Sequence, residues 1–96
     1  MTHQSHTMHG NSLSAFASLD LATRRQAVLA AYGGGWKTDR EISEILGAEL
    51  YTTRPRITEC VKDGVLIEVG SGIDHVTGKR VRLCATAEAV FIKATP

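Results

Sequence analysis

The segment from Thr38 to Gly64 constrains the chain most, because residues with few conformational choices fix its ends and its middle. Thr38-Asp39-Arg40-Glu41 has the form Thr-x-x-Glu, a capping box in which each side chain satisfies a free backbone donor of a helix's first turn. Ile42, Ile45 and Leu46 follow as an apolar face, and Gly47 supplies a left-handed stop. A helix of roughly eight residues is marginal alone and must be held by its neighbours. After a short connection over 47–51, a further helix is predicted from Thr52 as N-cap, with Pro55 in its first turn, where the missing amide hydrogen is harmless. Ile57, Cys60 and Val61 give its buried face, and Gly64 ends it. Two short helices with a glycine-closed connection form a helix-turn-helix.

The flanks extend this unit. Ser18 or Asp20 can cap an earlier helix, with Leu21, Val28, Leu29 and Tyr32 on one face, Arg24 and Arg25 on the solvated side, and Gly33 to Gly35 as its end. Beyond Gly64 the apolar period changes from helical to strand-like. Val65–Val69 and Val81–Ala85 read as paired strands around a loop from Gly70 to Arg80, with Thr77-Gly78 as a tight turn. Trp36 is expected on a short strand that completes a three-stranded sheet. Thr86 can cap a last helical stretch from Ala87 to Lys93, although Val90-Phe91-Ile92 fits a strand equally well. The order predicts an α+β domain over 18–96: a winged helix-turn-helix, with a three-helix core and a small antiparallel wing, behind a flexible polar tail over 1–17.

Several function classes are disfavoured. Five aromatic residues among 96 require an aliphatic core. Cys60 and Cys84 lack metal-ligand spacing and are too few for a disulfide scaffold. No apolar run approaches the roughly 18 residues of a membrane span, and the N-terminus does not read as a signal peptide. A cytoplasmic protein with no membrane partner is therefore expected. His3, His6 and His9 recur every third residue, and His3 stands where an amino terminus can capture Cu(II) or Ni(II). Nothing nearby would fix ligand geometry, so metal affinity there is read as incidental and no metal or cofactor is expected. Gly33-Gly34-Gly35 lacks the Lys and Ser/Thr of a phosphate loop. His75, beside Asp74, is better placed for phosphate or solvent than for base catalysis. No enzyme is expected.

Charge position points to a partner. The net charge is only +1. Yet Thr52 to Lys62 carries three basic residues against one acid, and His75 to Arg82 carries three against none. The helix from Thr38 is instead acidic, with Asp39, Glu41 and Glu44 against Arg40. Positive charge thus gathers on the third helix and the wing, the elements that would meet double-stranded DNA. Thr52, Thr53, Arg54 and Arg56 are the candidates for the major groove. Lys79, Arg80 and Arg82 are the candidates for the phosphate backbone or minor groove. Glu59 is expected to pair with Arg56 three residues back. A charged hairpin can also simply protect an exposed strand edge. The competing reading is a protein-interaction module, an adaptor or inhibitor in a phage or bacterial assembly.

The run TDREISEILGAELYTTRPRITECVKDGVLIEVGSGIDHVTGKRVRL resembles the winged-helix domains of small bacterial and bacteriophage DNA-binding proteins, in the broad group that includes MarR-like regulators. The resemblance lies in the T-D-R-E-I opening, the glycine after Leu46, the T-x-R-x-R-I-x-E-x-V-x-x-G stretch and the T-G-K-R-V wing. It implies major-groove contacts from Thr52, Thr53, Arg54 and Arg56, backbone contacts from Lys79 and Arg80, and a role in transcription regulation or another phage DNA transaction. The long flanking helices that make the dimer and ligand pocket of MarR-type regulators have no counterpart here. A homodimer or a larger complex is still expected, since one small module binds weakly.

Overall fold

The computed structural model describes residues 15–94, an α+β arrangement of helices around one antiparallel hairpin. A helical turn over 15–18 precedes α1 (Leu21–Tyr32), α2 (Asp39–Leu46), α3 (Leu50–Lys62), β1 (Leu66–Ile73), β2 (Arg80–Thr86) and α4 (Ala87–Ala94). His3, His6 and His9 lie outside the described residues.

Asp20 caps α1 by accepting from the Thr23 amide at 2.7 Å, and Gly33, at φ 55°, closes it. Val28 and Tyr32 are fully buried, but Leu21 is exposed, so the apolar face is shorter than the spacing predicted. Arg24 and Arg25 are not solvated spectators. Arg24 donates to the Leu19 and Ala17 carbonyls, and Arg25 pairs with Asp63 at the end of α3. Phe16, assigned by composition to the polar tail, is buried in the core, so the folded unit begins before Ser18.

Both arms of the capping box on α2 are formed: Glu41 N donates to Thr38 Oγ1 at 3.2 Å, and Thr38 N donates to Glu41 Oε1 at 2.8 Å. Gly47 stops α2 at φ 64°, a conformation that costs a residue without a Cβ little. Ile42 is buried, whereas Ile45 is exposed.

Helix α3 starts three residues earlier than predicted. Its N-cap is Glu49, which makes no side-chain cap bond, so Thr52 lies inside the helix rather than at its start. Pro55 consequently sits in the interior, where it leaves the Tyr51 carbonyl without its helical donor. Burial compensates. Thr53, Ile57 and Cys60 recur on one face and are completely enclosed. Val65 N donates to Cys60 O at 3.0 Å across Gly64, whose φ of 81° ends the helix.

The hairpin runs from Leu66 opposite Thr86 to Ile73 opposite Arg80, with a bulge between Glu68 and Gly70. Both strands reach further than their apolar pattern. The predicted third strand shrinks to a single bridge, in which Lys37 and Cys84 exchange two backbone bonds of 3.0 Å, and Trp36 is exposed. Thr38 must already be extended as the cap of α2, which leaves little chain after Gly35 for a strand. At the other end, Thr86 Oγ1 accepts from Ala89 N at 3.1 Å, and the segment left open by sequence is helical. Phe16, Val28, Tyr32, Ile42, Ile57, Cys60, Leu66 and Cys84 form the core, which lies between α1, α2, α3 and the inner end of the hairpin.

Candidate nucleic-acid interface

Asp39, the first residue of α2, organises the surface on which α3 and the hairpin meet. Its side chain is only 5% exposed and accepts from two arginines. Arg82 on β2 approaches it side-on, with Nε 3.1 Å from Oδ1 and Nη2 3.0 Å from Oδ2, while also donating to Thr58 Oγ1 of α3 at 3.0 Å. Arg54 on α3 donates through Nε to Oδ2 at 3.1 Å. Hydrogen bonding to Asp39 outweighs burial and holds the Arg82 guanidinium above its ordinary pKa. The carboxylate also stands in the first turn of α2, where the helix dipole favours negative charge. One buried anion therefore joins three elements.

A second clamp holds the hairpin tip. Asp74 is buried and accepts from Arg40 Nε at 3.2 Å and from Val76 N at 2.8 Å. Next to it, His75 Nε2 lies 2.9 Å from Glu44 Oε1 on α2. His75, expected to face phosphate or solvent, is 56% exposed and at the same time reaches α2. The Arg40 guanidinium, followed by the Val76 amide, holds the Asp74 carboxyl below its ordinary value of 3.8. A carboxyl depressed in the fold contributes stability above its unfolded pKa and loses it as pH falls through the folded value. Asp74→Asn is therefore expected to be less stable than the parent at pH 7. The two should converge as pH falls below the ordinary carboxyl value of 3.8 and through the depressed folded value. Chemical denaturation at several pH values measures this; a stability gap unchanged into acid would remove Asp74 as its source.

The seven residues singled out by sequence differ in how far they are exposed. Lys79 and Arg80 are exposed, and their side chains make no ion pair among the described residues. Arg54 is half exposed, at 49%, and with Nε fixed on Asp39 its two terminal nitrogens remain available to a ligand. Thr52 is half-buried on the first turns of α3. The other three are inside. Thr53 is completely buried and donates its hydroxyl to Glu49 O at 3.0 Å, which removes it from the surface. Arg56 is 15% exposed and bonded to Glu59 at 2.9 Å, the pair that the spacing predicted. Arg82 is spent on Asp39 and Thr58.

Starting α3 too late puts Thr53 outside, at the helix end, instead of one turn before Ile57 on the buried face. The same error hid Tyr51. Assigned by sequence to the connection, it belongs to the first turn of α3, and at 78% it is the most exposed large apolar residue described. Pro55, four residues on, is exposed on the same face. Glu68 and Val81 line an open cleft with Asp39, Arg54, Thr58 and Arg82, between α3 and the hairpin.

Cys60 and Cys84 are buried free thiols. Burial pushes the Cys84 thiol up to about 11, which keeps it protonated at neutral pH. Among the described residues, no helix is long and apolar enough to cross a membrane, and no group of three or more His, Cys, Asp or Glu side chains could hold a metal. Searches of protein families, curated proteins and solved structures find no match to the chain.

Proposed function

We propose that the chain is a winged helix-turn-helix that binds double-stranded DNA, as a small regulator or phage DNA-transaction protein. In this reading α2 and α3 are the helix-turn-helix, α3 enters the major groove, and the β1–β2 hairpin is the wing. The observation that carries it is the placement of Arg54. It stands half exposed on α3, tied through Asp39 to the strand that bears Arg80. Arg80 and Arg82 are two apart on β2 and share a face. A reading helix beside a basic wing is supported by that arrangement.

Internal pairing reduces the charge that DNA would meet. Arg56 is neutralised by Glu59 and Arg82 by Asp39, which leaves Arg54, Lys62, Lys79 and Arg80 as the exposed cations of this face. Contact with about four phosphates gives an expected log–log salt slope of about −3.5 for duplex binding. Replacing Lys79 and Arg80 together by Ala should weaken all sequences alike and make the slope shallower by about two. Fluorescence anisotropy with a random duplex across a salt series measures both. No binding at low salt overturns the proposal.

A second reading, a protein-interaction module, is favoured by one observation. Leu29 and Ala30 of α1, Val65, and Ala87 of α4 line an open, mainly apolar cleft away from Arg54. The salt series separates the two, since a protein-docking module has no reason to hold a random duplex.

A further inference from the structure

The exposed face of α3 is not uniformly basic. Tyr51 is 78% exposed and lies one helical turn before Pro55, which is also exposed, so the two make a small apolar spot. Polar and charged side chains surround it. Arg54 stands on one flank, bound to Asp39, while Arg56 and Glu59 on the other neutralise each other. Lys62 continues the exposed face toward the end of the helix. A tyrosine has only two side-chain torsions to fix on contact, and burying its ring rewards an apolar partner. In a major groove the apolar group on a base edge is the thymine C5-methyl. Arg54 and Lys62 supply the positive charge that the phosphates beside such a groove would meet.

We propose that Tyr51, supported by Pro55, is a specificity-determining residue that packs on thymine methyl groups, a role that rests on the duplex-binding reading above. The face then divides its work: Arg54 takes a guanine edge or phosphate, and the Tyr51 ring selects A·T pairs by their methyl. Tyr51 is almost free of protein contacts, so its replacement leaves the core intact.

The test starts from duplexes selected by the full chain out of a random pool. Each thymine is exchanged singly for deoxyuridine, which removes only the methyl. Wild type is expected to lose about fourfold in affinity at one or two positions, the value of burying one methyl group. Tyr51→Ala should bind thymine and deoxyuridine duplexes equally at those positions, and Tyr51→Phe should keep the wild-type preference. Random-duplex binding at low salt, carried mainly by the exposed cations, should persist in both variants. Selected sites that bind wild type but ignore the exchange everywhere overturn the proposal, as does a deoxyuridine penalty that survives in Tyr51→Ala; either leaves duplex binding standing. Failure to bind any duplex overturns the DNA reading, and this assignment with it.

Discussion

Asp39→Ala is expected to lower the free energy of unfolding by about 3 kcal/mol, the usual scale for stranding a largely enclosed charge. Arg82 supplies most of this. Its side chain is 22% exposed, and beyond Asp39 its only other bond among the described residues is to the Thr58 hydroxyl. Arg54, half in water, can rehydrate and contributes less. For a domain of this size the loss corresponds to a fall in Tm of about 12–24 °C, measurable by circular dichroism. Asp39→Leu combined with Arg82→Met should recover much of it, since removing both charges leaves none uncompensated. A single substitution costing less than about 0.5 kcal/mol would show that the carboxylate does not hold these elements together.

Arg54→Ala carries the largest expected effect on binding. One well-oriented arginine on a base edge is worth about 1–3 kcal/mol, so affinity for a selected duplex should fall by about fivefold to 150-fold. Stability should change by less than about 1 kcal/mol, because the ion pair it gives up is half solvated. Arg56→Ala should do the reverse. Its side chain is mostly enclosed, its Nε is buried without a protein partner, and its stem packs against the helix surface, so stability falls and affinity changes little. Titrations of both purified variants against one duplex decide the matter. Equal losses of affinity would mean that the wrong side of α3 has been assigned to the groove.

Local chemistry made much of the fold legible. The Thr38–Glu41 box, the stops at Gly47 and Gly64 and the turn at Gly78 act within a few residues, and all are formed. Helix α3 was misplaced because its true start has no side-chain cap to announce it, while Thr52 and Pro55 imitate a beginning. Propensity also favoured ending β1 before Gly70-Ser71-Gly72, but backbone pairing carries the strand through to Ile73. The site was less legible than the fold. Basic residues could be located, but which of them face water depends on Asp39, which lies 15 and 43 positions from its partners. Helical spacing revealed only the local Arg56–Glu59 pair. No local pattern marks the rest.

The shared carboxylate also bears on how fast and how favourably a ligand is held. A long side chain frozen at an interface costs about 0.5–1.5 kcal/mol in rotamer freedom. Asp39 exacts that cost from Arg54 and Arg82 during folding, before any ligand arrives. The hairpin is likewise fixed against α2 by Asp74 and Arg40 in the free protein. Association can then proceed as the docking of a preformed surface, with little ordering to lower its rate or oppose its affinity.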